Sequence, residues 1–451
     1  MTAYRGIRFA LATMLLGVWS PPTSLAAQTR PPIRTLGPVH ATTTDSLGLV
    51  NNVRALPGGR LLINDATSRR VLLVDSTLAV IGIVADSTSS TANAYGPRSG
   101  SLIAFRGDST LFVDAASLSM LVIDPAGKIG RVMSVPRSQD AMMLAAGGLG
   151  TGAYYSNGYL VYRGMPGFRM QMGPTGAPTM PSVADTMAIV RVNLQSRAVD
   201  TVGFIKIPKT NTNMTRSDDG KISIAIEVNP LPVVDDWVVT STGEIALLRG
   251  RDYHIDWMSP DGTHRSSPKV AFDWKRITDE QKVALIDSVK AIRDRAAAAN
   301  PGQGNAMAAA FGAALGMGGA ASGMASSAAP TMVMRFEARG APGGPPGGGA
   351  APQIMAPQIN YVSPTELPDY QPAFFANSAK ADNDGNIWVQ TIPTKPVAGG
   401  VVYDVINPAG EVVDRVQIPV NRTIVGFGPG GVVILAAREG MTTKLERARV
   451  K

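Results

Sequence analysis

Along this chain, apolar runs of four to six residues alternate with short polar turns. "GGRLLINDATSRRVLLVD" at Gly58–Asp75 sets the pattern, and "GDSTLFVDAASLSMLVID" at Gly107–Asp124 repeats it. A glycine turn leads into a buried run, an acidic turn follows, and a second buried run closes the unit. Runs this short, bounded by Gly, Asp and Asn, predict β-strands joined as hairpins. The same unit recurs around Gly59, Gly107, Gly158, Gly243, Gly385 and Gly431. A further strand precedes each of these glycines, as in "LVNNVRAL", "SLIAF", "WVVTS" and "TIVGF". Another follows the pair, as in "LAVIGIVA", "KIGRVMSV", "VDTVGFIKI" and "EVVDRVQIP".

Four short strands, repeated six times, predict an all-β fold, a six-bladed β-propeller, because each sheet must bury both faces against its neighbours around an axis. The glycine-to-glycine steps of 48, 51 and 46 residues fit one blade each, while 85 and 142 signal insertions. "GGRLLINDATSRRVLLVD" resembles an NHL-type repeat, and "ADNDGNIWV" resembles the related dGxlWV blade signature. The resemblance is to secreted six-bladed propellers of the NHL-repeat and Tol-propeller-like kind. It covers nearly the whole chain after the leader and is clearest in blades one, two and five. It implies a blade architecture and no particular chemistry.

The smaller insertion, Gly164–Val183, is rich in Gly, Pro and Met and is expected to be a loop. The larger runs over 273–368. It opens on "ITDEQKVALIDSVKAIRDRAAAAN", where Thr278 and Gln281 form a capping box. Leu285, Val289, Ile292 and Ala296 then share one face of a predicted amphipathic helix. From Gln303 the composition collapses to Ala, Gly, Met, Ser and Pro, a low-complexity loop expected to stay disordered over 303–355. A membrane-contacting helix in the same Ala/Gly/Met run is the alternative there.

At the other end, Arg5 and Arg8 precede an eleven-residue apolar run, Phe9 to Trp19, and then Ser24-Leu25-Ala26. This reads as a signal peptide over 1–26, cleaved near Ala26, and a secreted or bacterial periplasmic protein with the propeller over 27–451. The extended stretch Ile33–Thr42 is expected to pair with blade six, whose third strand is "TKLERA", and so to close the ring.

Composition removes several classes of chemistry. There is no cysteine, so thiolate sites and cysteine nucleophiles are excluded. Only three histidines occur, His40, His254 and His264, too few and too scattered for a histidine-rich zinc site. No G-x-S-x-G elbow or phosphate loop is present. The formal charge of +8 is spread thinly, with no basic stripe for nucleic acid. No second apolar run is long enough for a transmembrane span. Asp65, Asp114 and Asp384 could hold calcium, but each stands in a repeat turn, where Asp is favoured for local backbone bonding. His254 and Asp256 alternate on one strand and share a face, as metal ligands or as a strand's polar side.

The starts of the innermost strands converge at one mouth of the channel. Asn51, Asn52, Arg98, Arg137, Gln139, Asp235, Asp236, Tyr370, Gln371 and Arg422 stand there and are expected to form a polar ligand-binding ring, with no catalytic residue and no cofactor. The reading is a non-catalytic scaffold for an unknown ligand or protein partner. The alternative is a metal-assisted hydrolase or lactonase-like enzyme using channel carboxylates.

Overall fold

A computed structural model describes residues 30–88, 95–97, 100–145, 152–164, 171–172, 178–179, 185–209, 211–216, 222–299, 358–395, 397–440 and 442–450. The expected signal peptide, Arg98 and the 303–355 low-complexity stretch with its alternative helix lie outside the described residues.

Six antiparallel sheets follow one another along the chain as blades of a propeller. From the innermost strand outward, blade one is Val50–Ala55, Leu61–Asp65, Arg70–Val74 and Val80–Ala85. Blade two is Ser101–Ala104, Thr110–Asp114, Ser119–Ile123 and Ile129–Ser134, and blade three is Tyr154–Ser156, Tyr159–Arg163, Thr186–Asn193 and Val199–Lys206. Blade four is Asp236–Val239, Ile245–Arg249, His254–Met258 and His264–Ser266. Blade five is Phe374–Ala381, Ile387–Thr391, Gly400–Ile406 and Val412–Pro419. Blade six supplies Arg422–Gly428, Val432–Glu439 and Thr442–Arg449. The signature glycines Gly59, Gly107, Gly158, Gly243, Gly385 and Gly431 all hold positive φ, between 56° and 91°. A side chain there would strain each hairpin, which is why the repeat is punctuated by glycine.

Burial follows the strand alternation. In blade one, Leu61 and Ile63 face blade six while Leu62 faces blade two. In blade four, Ile245 and Leu247 face blade three while Ala246 and Leu248 face blade five. A hydrophobic cluster fills each of the six blade interfaces, including that between blades six and one. Fully buried strands of this kind read as continuous apolar runs rather than as alternation.

The ring is closed from the N-terminal side, as the sequence predicts, but through two blades. Ala41–Thr42 becomes the outer strand of blade six, antiparallel to Thr442–Arg449, with Ala41 opposite Arg447. Ile33–Thr35 adds a fifth strand to blade five, parallel to Val412–Pro419. Arg30 anchors the start of this strap on Asp404, at 2.7 Å.

The insertions depart from expectation in two respects. Asn211–Arg216 and Ile222–Val228 form a hairpin to which Gln358–Tyr361 adds a parallel strand, a three-stranded side sheet made from two distant segments. The helix runs Asp279–Ala299, with the Thr278/Gln281 capping box in place. Its buried face is Lys282 and Ile286, with Leu285 packed against Leu231, Val362 and Leu367. Ile292, expected on that face, is 55% exposed, and Arg293 takes its place, donating to the Ile359 carbonyl and lying over the Tyr361 ring. The Arg293 stem covers apolar surface while its head bonds backbone, so the polar residue sits where periodicity alone would put the aliphatic one. Within Gly164–Val183, the described residues Gln171–Met172 and Pro178–Thr179 pair as a small hairpin.

Candidate functional site: the central channel

The innermost strands of blades one and two, two and three, four and five, and six and one touch each other around the propeller axis. Here the backbone of one blade is tied to the next by side chains. Asn52 does this from blade one: its Nδ2 donates to the Leu102 carbonyl at 2.7 Å, and the Leu102 N–H donates to its Oδ1 at 3.3 Å. Asp236 holds the corresponding place on blade four. An amide can both donate and accept, but a carboxylate only accepts. Asp236 accordingly collects N–H groups, from Trp237 at 2.9 Å and, across the interface, from Ala379 at 2.8 Å. The N–H groups of Ser378 and Asn377 also point to it.

Blade five presents these donors together because its inner strand is bulged between Phe374 and Ala379, with Asn377 at a φ of 65°. Successive N–H groups then face one way and form an anion cradle. The fully buried Asp236 carboxyl is pushed up to about 6 by desolvation, against the four backbone N–H groups, which favour the charged form.

Two residues further along, Arg54, Ile103, Val238 and Lys380 each pair with the second residue of the neighbouring strand, and so lie on one rung around the axis. On blade three Tyr154 pairs with Val161, the third residue of the neighbouring strand, and meets Trp237 edge-on. Arg163 ends the second strand of blade three. Burial lowers the pKa of both Arg163 and Lys380, and the Asp236 charge only partly opposes it. Arg54 is likewise lowered by burial, with Asp108 opposing. The Tyr154 phenol is raised, first by burial and then by the Asp236 charge. Arg163 and Lys380 have no hydrogen bond and no ion pair with any described residue. Arg54 Nε and Asn377 Nδ2 are buried donors without partners among the described residues.

The residues expected to form the polar ring are distributed as follows. Asn52 and Asp236 lie in the channel wall, and Asn51 precedes Asn52 on the same strand. Asp235 joins blades three and four, accepting from Lys206 N–H, Gly250 N–H and Arg249 Nη1, each at 3.0 Å. Arg137 donates to Asp140, which also accepts from the Tyr162 hydroxyl. Gln139 is exposed in the turn beside them. Tyr370 is 51% exposed and bridges to Arg276, while Gln371 Nε2 donates to the carbonyls of Ile392 and Pro393. Arg422 forms a two-pronged pair with Glu446, at 2.6 and 2.9 Å, beside a cleft of about 330 Å³ under the N-terminal strap. The structure therefore brings Asn52 and Asp236 to the axis and gives Arg137, Asp235, Gln371 and Arg422 partners elsewhere.

Sequence reasoning passed over Arg54, Tyr154, Arg163, Lys380 and Asn377. The available signal was a lone cation inside a buried strand, as in "NNVRAL", "YLVYRG" and "NSAKAD". Of the carboxylates named as calcium candidates, Asp65 accepts from Gly48, Ser68 and Arg70, and Asp114 from Ala116 and Ser117. Asp384 donates its N–H to Asp382, which is the residue that organises that turn. His254 lies between Asp252, at 2.7 Å, and Asp256, at 3.3 Å, as the alternation implies. Among the described residues no three His, Asp or Glu side chains gather as a metal site.

No protein-family model matches the sequence, and no curated protein matches it. Among solved structures, the chain is similar to a gluconolactonase from Xanthomonas campestris, at 10% identity and a TM-score of 0.35, over 94% of this chain and all of that one. It is similar to a streptogramin B lyase at 9% identity and a TM-score of 0.34, over 90% and 97%. It is also similar to regucalcin, a calcium-binding protein from Agrobacterium tumefaciens, at 11% identity and a TM-score of 0.36, over 93% and 97%. Likeness at this level does not extend to the chemistry of any of them. No helix among the described residues is long and apolar enough to cross a membrane.

Proposed function

We propose that this protein is a secreted, non-catalytic propeller scaffold that holds a small ligand in its central channel, with the leader over 1–26 directing export. One observation carries this reading: Lys380 on the innermost strand of blade five and Arg163 at the end of the second strand of blade three both feel the Asp236 charge and have no bonded partner among the described residues, while cations elsewhere on the scaffold, such as Arg137 and Arg422, are paired with carboxylates. Arg54 Nε and Asn377 Nδ2 are in addition buried donors with no partner among the described residues, and a folded protein loses stability by leaving such donors unmet unless something else meets them. Asn52 from the expected ring belongs to the same wall, and the ring residues beyond it would contact parts of the ligand, or of a protein partner, outside the channel.

The enzyme reading has one observation in its favour. Asp236 lies close to neutrality, at about 6, as a general acid or base requires. Against it, all its visible contacts are backbone N–H groups that hold the blades together. The test presents the full mature chain with a panel of neutral and charged small molecules, by thermal shift and native mass spectrometry. The expected result is a ligand bound one per chain, recovered unchanged and weakened by Lys380→Met. Recovery of a chemically altered compound, with turnover lost on chelation, would replace the scaffold by the metal-assisted enzyme. Binding indifferent to Lys380→Met would move the site out of the channel.

A further inference from the structure

We infer that the channel carries an anion site in which Lys380 and Arg163, helped by Asn377 Nδ2, hold a carboxylate or phosphate group of a small molecule. The inference rests on the channel reading above and adds the chemical class of the ligand.

Its basis is a contrast within one molecule. Away from the axis, half-buried arginines are met by carboxylates or by backbone carbonyls: Arg30 and Arg415 by Asp404, Arg249 by Asp235 and Asp256, and Arg422 by Glu446, all within 3.2 Å, and Arg69 and Arg447 by main-chain carbonyls. At the axis the pattern stops. Asp236 is the carboxylate that Arg163 and Lys380 sense, yet it makes no ion pair with either, since its oxygens are taken up by the N–H groups of Trp237 and Ala379 and by those of Asn377 and Ser378. Two cations thus share one distant, already solvated charge. Arg54, on the Lys380 rung, adds a third, whose Nη1 donates to the Ala55 carbonyl while its Nε is buried without a partner among the described residues. An incoming anion with two or three oxygens supplies what the scaffold withholds: a bidentate acceptor for the guanidinium and a point charge for the ammonium.

Asn377 gives an independent indication. It is a non-glycine residue held at positive φ inside an inner strand, and its side-chain amide has a buried donor with no partner among the described residues. Strained backbone and an unmet donor at the same residue are what a ligand clamp shows. The Asn377 backbone already serves Asp236, which leaves the side chain for the ligand.

The experiment titrates the full mature chain at low salt with succinate, inorganic phosphate and, as a neutral control, glycerol, by calorimetry and thermal shift. Saturable binding of succinate or of phosphate is expected, with glycerol silent. Lys380→Met and Arg163→Met should each weaken the anion at least tenfold, worth about 1.4 kcal/mol. Lys380→Arg should stay within about threefold, as should Arg131→Gln, which alters an exposed cation far from the axis. Succinate alone would assign a carboxylate, and phosphate alone a phosphoryl group. Anion binding equal in all variants, or no anion binding by well-folded protein, would overturn the site. A neutral panel compound that binds and is sensitive to Lys380→Met would leave the channel scaffold standing and remove the anion assignment alone.

Discussion

At the residue scale, the same position on two blades carries Asn52 and Asp236, and the difference between them has a measurable consequence. Both tie their blade to the next, but only Asp236 brings a charge into the interface. Its pKa is raised from 3.8 to about 6 by burial. A carboxyl raised on folding binds more protons in the folded than in the unfolded chain between those two values. Stability on its account is therefore greatest in acid, falls as pH rises from about 4 to about 6, and is level above that. The full swing for such a shift is on the order of 3 kcal/mol. Thermal melts of wild type and Asp236→Asn across pH 4 to 8 isolate this contribution from the other carboxylates. The wild type should lose stability relative to the variant through that window. A constant difference across it would show that the carboxyl is not raised. Asn52 and Asp236 were legible in the sequence as polar residues near the inner strands, whereas Arg54, Arg163 and Lys380 were not. Turn chemistry and apolar runs locate strands, but which charge goes without a partner depends on the other blades.

At the element scale, the blades were readable because each is local. Glycine turn, buried run and acidic turn lie within some twenty residues, and six copies reinforce one another. The side sheet was not readable, because Ala225 pairs with Gln358 across more than a hundred residues, and no local pattern records such a pairing. The helix falls between the two cases. Its start was set by the capping box, but its buried face depended on where Leu231, Val362 and Leu367 lie. Two substitutions separate the two faces. Ile286→Ala removes a side chain that is 4% exposed and should lower stability by about 2–4 kcal/mol, whereas Ile292→Ala, at 55% exposed, should change it by less than about 0.5 kcal/mol. Urea unfolding, with hydrogen exchange across 279–299 to register local release of the helix, checks both. Equal effects would return the packing to the face that periodicity alone suggests.

At the scale of the whole molecule, a ring of blades is only as stable as its last seam, because each blade relies on two neighbours for burial. Here the seam is held by more than apolar packing between blades six and one. The strap from Arg30 to Thr43 runs past blades five and six and leaves bonds with both. Arg30 meets the fully buried Asp404, Ile33–Thr35 lies against Arg415–Gln417, and Leu36 bridges Val450. Ala41–Thr42 then completes blade six, and the Thr43 hydroxyl accepts from Leu445 N–H at 3.0 Å. Removing 30–43 would expose the edge of Thr442–Arg449 and leave Asp404 with Arg415 as its counterion. Because Asp404 keeps this counterion, losing Arg30 costs less than leaving a buried charge unpaired, which is about 3–5 kcal/mol, and the loss of the strand pairing adds to it. The deletion should therefore lower the melting temperature by several degrees and promote association through the bare edge. Transplanting the strand gives a sharper check than deletion. Since Leu36 lies beside Val450 and the two segments run antiparallel, residues 36–46 attached after Lys451 through a tight turn can fold back as a hairpin onto the same edge. That chain should recover much of the lost stability while still lacking the Arg30–Asp404 pair. A deletion variant that melts with the parent would show that the apolar seam suffices. Failure of the transplant to restore anything would place the strap's contribution in Arg30 rather than in the completed blade.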